Sequence, residues 1–150
     1  MKCRLKEIRE EKELTKRKLA TILNVSDSIY ARWENSQDTI PTRRIYQLAN
    51  YYQLNIDYLL GLTDEKITMV SSNKMDISLI ATRIVEVRKD FNETLRTFVK
   101  RFNTSSSTWS AYETGKTLIL GTFLIEVCRI GNYSADWLLG RCDTKYLSKK

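Results

Sequence analysis

A chain of 150 residues with 42% hydrophobic and 29% charged side chains has the balance of a folded globular protein rather than a disordered tail. Five Gly and one Pro leave few breakers, which favours helices, and a net charge of +7 points toward an anionic partner. No run of 18 apolar residues could span a membrane, no histidine could serve as general base or metal ligand, and Cys3, Cys128 and Cys142 show no CxxC spacing. An enzyme, a metal, a cofactor and a disulfide framework are therefore not expected, and a reducing cytoplasm is the expected setting.

In chain order, MKCRLKEIREEKEL lacks the apolar stretch of a signal peptide, and Leu5 and Ile8 mark one face of a first helix. Thr15 is placed to cap a second helix with Leu19, Ala20 and Leu23 inward. After a turn at Asn24-Val25, Ser26 caps a third helix that turns Tyr30 and Trp33 to the core. Pro41 suits the first turn of a fourth helix with Ile45, Leu48 and Ala49 inward, and IDYLLG forms a short fifth helix ended by Gly61. Further on, Asp76 or Ser78 is expected to cap a helix carrying Ile80, Ile84 and Val87.

The sequence repeats itself in one constant frame: WENS at 33 to 36 falls on YETG at 112 to 115, and IDYLLGLTD at 56 to 64 on ADWLLGRCD at 135 to 143. Fifteen of 61 ungapped positions are identical, among them Arg9/Arg88, Glu34/Glu113, Ser26/Ser105 and Gly61/Gly140. The expected organisation is a first domain at 1–64, a linker at 65–75, a second, diverged domain at 76–144 and a basic tail at 145–150. In that frame TSSSTWSAYETGK, residues 104 to 116, is a third-helix equivalent capped by Ser105, with Trp109 and Tyr112 as core anchors in place of Tyr30 and Trp33. The aromatics Tyr51, Tyr52, Tyr58, Tyr133 and Trp137 are expected in the core or an interface rather than on a surface that stacks single strands.

Two helices of about eight residues joined by a short turn match the helix-turn-helix motif. The stretch LTKRKLATILNVSDSIYARWENSQ, with the later Leu59-Leu60-Gly61, resembles the Cro/cI-type (XRE-like) helix-turn-helix regulators. That resemblance covers both repeats and implies an all-α chain of two tandem five-helix, lambda-repressor-like domains. It also implies double-stranded DNA binding in a bacterial or phage-infected cytoplasm, in association with the nucleoid. Helix three would enter the major groove while helix two crosses the phosphate backbone.

Spacing places Asp27, Ser28, Ala31 and Arg32 on the outer face of helix three. Arg32 has the reach for a guanine edge and Ser28 for base or phosphate; Asp27 either accepts from cytosine or simply favours the helix N-terminus. Lys16 stands where the family commonly has a phosphate-touching Gln, Arg17 follows it, Asn35 matches a frequent backbone-contact position, and Arg43 and Arg44 would flank the groove. The family ties helix one to helix three by an ion pair, which here falls on Arg9 and Glu34 and again on Arg88 and Glu113.

The second copy presents Ser106, Ser107, Ser110 and Ala111, with Leu95 in place of Lys16 and Leu120 in place of Pro41. Yet residues 80 to 150 carry 12 basic and 7 acidic side chains against 11 and 9 in residues 1 to 64. Arg96, Lys100, Arg101 and Lys116, with tail residues Lys145, Lys149 and Lys150, remain candidates for phosphate contact. Two arrangements stay open: a single-chain pseudo-dimer on one duplex, or a homodimer in which the second domain is mainly an assembly module and two chains bring two first domains to a palindrome; a protein partner through the second domain is a separate expectation. Two functions stay open as well: a transcriptional regulator, a repressor of phage or mobile-element type, and a protein-binding inhibitor or antitoxin-like module reusing the scaffold.

Overall fold

The computed structural model describes residues 3–71 and 74–148. The chain is all-α and divides into two compact units, Met1–Ser72 and Asn73–Lys150. None of its helices, among the described residues, is long and apolar enough to cross a membrane.

The first unit holds α1 (Leu5–Glu11), α2 (Lys16–Leu23), α3 (Asp27–Glu34), α4 (Thr42–Tyr52) and α5 (Ile56–Leu59). The starts of α2 and α3 are fixed by hydroxyl caps. Thr15 accepts from the Lys18 amide and Ser26 from the Ile29 amide, each satisfying a donor that the first turn leaves open. Each helix turns its apolar stripe inward, and Leu5, Ile8, Leu19, Leu23, Tyr30, Trp33, Ile45 and Leu48 form the core. Pro41 lies one residue ahead of the expected first turn, as the extended residue before α4 (φ −59°, ψ 140°). Leu120 adopts the same extended geometry before its own helix (φ −64°, ψ 146°), so the entry into that helix does not depend on the proline ring.

The second unit holds α6 (Ile77–Asp90), α7 (Leu95–Phe98) running into a 3₁₀ turn (Val99–Phe102), α8 (Ser106–Glu113), α9 (Gly121–Gly131) and α10 (Ala135–Leu138). Asp76, not Ser78, caps α6, accepting from the Leu79 amide. The expected single second helix is broken into α7 and the 3₁₀ turn. Val99 aligns with Ala20 of the first unit, and a β-branched residue beside two phenylalanines is a poorer helix former than the KRKLATIL of α2. The rings there favour the core instead: Phe102 stacks on Trp109 with centroids 4.7 Å apart, and Phe98 meets it edge-on at 5.5 Å.

Two segments differ from expectation. Residues 65–69, expected as linker, are docked on the first unit. The Asn55 amide donates to the Ile67 carbonyl (3.1 Å), the Ile67 amide to Asn55 Oδ1 (2.9 Å) and the Met69 amide to the Gln53 carbonyl (3.0 Å). Residues 145–147, expected in a frayed basic tail, are held likewise: the Ser134 amide donates to the Lys145 carbonyl (2.8 Å) and the Leu147 amide to the Asn132 carbonyl (2.9 Å). Expected tail residues Lys149 and Lys150 lie outside the described residues. Of the five aromatics named above, Tyr52, Tyr58, Tyr133 and Trp137 are buried while Tyr51 is exposed.

Local backbone conformation explains one further difference between the units. Ser36 follows α3 in the left-handed region (φ 58°), and its equivalent in the second unit is Gly115 (φ 77°). A side chain there costs on the order of 1 kcal/mol that glycine avoids. Ser36→Gly is therefore expected to raise the thermal midpoint of the first unit by a few degrees in a circular dichroism melt, and an unchanged or lower midpoint would contradict this.

Candidate nucleic-acid interface

The angle between α2 and α3 is set by a three-residue turn. Asn24 takes the left-handed conformation (φ 56°), and the Val25 amide returns to the Ala20 carbonyl at 3.0 Å, closing α2 before Ser26 opens α3. Beneath the turn, Leu19, Ala20 and Leu23 of α2 are buried with Tyr30 and Trp33 of α3, whose rings meet edge-on at 6.2 Å.

A charged bolt fixes the far end of α3. Arg9 of α1 donates through Nε to Glu34 Oε1 at 2.6 Å and through Nη2 to Oε2 at 3.4 Å, while its Nη1 bonds the Leu14 carbonyl at 2.8 Å. The Glu34 side chain is 1% exposed and that of Arg9 10%. The Tyr30 hydroxyl also donates to Glu34, at 3.3 Å. Burial, reinforced by the neighbouring Glu34 charge, pushes the Tyr30 phenol well above its ordinary range, so it stays a donor. The same construction occurs at Arg88, which reaches Glu113 through Nε at 2.7 Å and Nη2 at 2.9 Å. In each unit the pair ties the first helix to the end of the third.

On the opposite side of α3 the exposed residues are Asp27, Ser28, Ile29 and Arg32, with Ala31 half-buried and Asn35 exposed just beyond. Lys16, Arg17 and Lys18 stand exposed on the first turn of α2, and Arg43 on α4. Lys16, Ser28 and Arg43 make no ion pair or side-chain hydrogen bond among the described residues, which leaves them open to an incoming anion. Arg44 is half-buried and donates to Gln47 at 2.9 Å, and Gln47 in turn donates to the Ile22 carbonyl, so Arg44 braces α4 against α2.

Two side chains on this face are paired with carboxylates. Arg17 Nε lies 3.4 Å from Asp27, spanning the turn between α2 and α3. Arg32 lies 2.7 Å from Asp38 through Nε and 3.3 Å through Nη2. Sequence spacing brings out neither pairing. It also passes over Ile29, an apolar side chain 43% exposed; its place three residues before Arg32 was the available signal that it shares the outer face.

In the second unit the corresponding face is neutral. Ser107 is exposed, Ser106, Thr108, Ser110 and Ala111 are half-buried, and Ser105 caps α8 by accepting from the Thr108 amide. Arg96, Lys100 and Lys116 are exposed around it. Arg101, expected at phosphate, is instead bonded to Glu93 through Nε and Nη2 and lies over the Phe91 ring at 4.9 Å. Lys145, likewise expected at phosphate, sits between Asp90 (2.7 Å) and Glu86 (2.9 Å). Burial opposes its charge, but those two carboxylates outweigh it and hold the ammonium protonated well above the usual lysine range. Lys145 is thus held in the fold, while Arg101 is paired but 40% exposed.

A tight turn over a buried apolar cluster joins two short helices, the second presenting an exposed polar face, which defines a helix-turn-helix unit. Residues 3–65 match a family described as a helix-turn-helix domain. The chain is also similar to YobD, an uncharacterized HTH-type transcriptional regulator of Bacillus subtilis (strain 168), with 34% identity over 62 residues, 41% of this chain and 55% of that protein. The chain thus spans about half the length of that relative. No solved structure matches it significantly.

Proposed function

We propose that the chain is a sequence-specific double-stranded DNA-binding regulator, a repressor that acts by occupying its site, with α3 of the first unit in the major groove. The observation that carries this reading is the exposed face of Ser28, Ile29 and Arg32, accompanied by the exposed cations Lys16 on α2 and Arg43 on α4, on a helix tied to α1 by Arg9 and Glu34. Arg32 supplies a fork for guanine, Ile29 an apolar contact for a thymine methyl, and Ser28 a hydroxyl for base or phosphate. Lys16 and Arg43 neutralise phosphates on either side, with Asn35 beside them. The match of residues 3–65 to a helix-turn-helix family and the likeness to a transcriptional regulator support the same reading.

The second unit we read as a duplicate of the first, on the recurrence of the Arg9–Glu34 pair at Arg88–Glu113 and of the Arg4 clamp at Arg83. Arg4 bonds the Tyr58 and Thr63 carbonyls and Asp64 across the Tyr58 ring; Arg83 does the same with Trp137, Cys142 and Asp143. Its face of serines, with Arg96, Lys100 and Lys116 around it, suits phosphate contact without base reading. A sedimentation measurement of the complex distinguishes one chain on two half-sites from two chains on a palindrome.

Retention of random duplex DNA by the full chain, followed by sequencing, tests the function. An enriched motif is expected. Salt-sensitive retention with no motif would leave charge attraction alone and favour the protein-binding alternative. On the enriched duplex, Lys16→Gln is expected to weaken all sequences alike and to reduce the slope of log affinity against log salt by about 1. An unchanged slope would remove Lys16 from the phosphate contacts.

A further inference from the structure

We propose that Asp38 is a positioning residue that sets the base specificity of Arg32, an inference resting on the reading of α3 just given. A guanidinium carries five N–H donors arranged as two forks: a side-on fork, Nε with Nη2, and an end-on fork, Nη1 with Nη2. Asp38 takes the side-on fork, through Oδ2 at 2.7 Å from Nε and Oδ1 at 3.3 Å from Nη2. The end-on fork, the one able to span O6 and N7 of a guanine, makes no second bond among the described residues, and the side chain is 56% exposed. A long arginine free to rotate would lose side-chain entropy on meeting a base; one already held by its other fork loses less.

Asp38 is itself fixed. The amides of Gln37 and Asp38 both return to the Arg32 carbonyl, at 2.9 and 3.4 Å, so the loop after α3 curls back over the residue it orients. The second unit has the same backbone curl, with the Lys116 and Thr117 amides returning to the Ala111 carbonyl at 2.9 and 3.2 Å. At the equivalent positions of the second unit, Ala111 replaces Arg32 and Thr117 replaces Asp38. The carboxylate is absent where the arginine is absent. A carboxylate beside a DNA-facing helix repels phosphate, which makes its presence costly unless it orients a neighbouring cation.

The test measures affinity of the full chain for its enriched duplex and for the three single-base variants at the position Arg32 reads. The wild type is expected to prefer guanine by about 5- to 150-fold. Asp38→Asn offers one carbonyl oxygen and one amide donor to a fork that needs two acceptors. It is expected to shrink that preference to within about threefold while leaving or raising affinity for random duplex. In an Arg32→Ala background the same change is expected to move nothing at that position, the mark of two residues acting as one. Asp38→Glu, which keeps both acceptors, is expected to recover part of the preference. Both side chains are about half exposed, at 56% and 44%, so the variants should melt within a few degrees of the wild type. A uniform gain in affinity with the guanine preference intact would overturn the proposal, leaving Asp38 as a charge only. A wild type without preference at any position would overturn it together with the DNA-reading function, which separates the two failures.

Discussion

Replacing Arg9 with Ala is expected to lower the stability of the first unit by about 3–5 kcal/mol, because it leaves the Glu34 carboxylate buried beside one phenol and no cation. Glu34 is 1% exposed and accepts from Arg9 through both oxygens, so both acceptors lose a charged donor at once. The same deletion frees the Leu14 carbonyl, which Arg9 also satisfies at 2.8 Å, and so loosens the entry into α2. A domain of this size has a total stability of only some 5 kcal/mol, and the loss is expected to unfold much of the first unit at 37 °C. The second unit keeps its own Arg88–Glu113 pair, so a circular dichroism melt should separate into two transitions, the earlier one displaced by tens of degrees. Arg9→Lys should recover little, since a single ammonium cannot bridge both oxygens and the carbonyl. A loss below about 1 kcal/mol would show the pair to be ornamental, as exposed pairs usually are.

Arg32→Ala is expected to do the reverse: to leave the melt within about 0.5 kcal/mol of wild type and to remove about 1–3 kcal/mol of discrimination at one base pair. The distinction lies in burial. Both arginines are bonded to a carboxylate through Nε and Nη2, but Arg9 is largely buried and Arg32 is more than half exposed. Affinity for unrelated duplexes should fall only slightly, because the variant loses one cation among several. Equal weakening on every sequence would make Arg32 a phosphate contact instead of a reader.

Most of what positions this face was legible in the sequence, and for identifiable reasons. Thr15, Ser26 and Ser105 announce helix starts because a hydroxyl before an apolar period has few other uses, and all three accept from the expected turn. Tyr30 and Trp33, like Trp109 and Tyr112, announce the core by spacing alone. Arg9 and Glu34 emerged from their recurrence as Arg88 and Glu113 and from family likeness, not from any rule of local spacing, since they lie far apart in the chain.

What stayed hidden depends on chain reversal. Asp38 lies beyond the end of α3 and meets Arg32 only because the loop curls back, a geometry with no period. The docked segments were hidden by a one-residue slip. Asn55 and Ser134 are equivalent in the repeat, but the frame that pairs them sets Ile67 against Tyr146, whereas Ser134 bonds Lys145. The ungapped repeat thus ends just before the contact that both units share. The 3₁₀ turn at Val99–Phe102 went unread because caps and apolar spacing there match α2, while side-chain shape does not.

The most direct test of α3 in the major groove is methylation protection of guanine N7 on the enriched duplex at saturating protein. N7 is reachable only from that groove, and with O6 it makes the edge that an arginine fork spans. The expected result is a guanine N7 protected by the wild type and reactive again in the Arg32→Ala complex, with DNA still bound. Saturated binding that leaves every N7 reactive, or protection that Arg32→Ala leaves unchanged, would contradict the assignment of Arg32 on α3 as the reading residue.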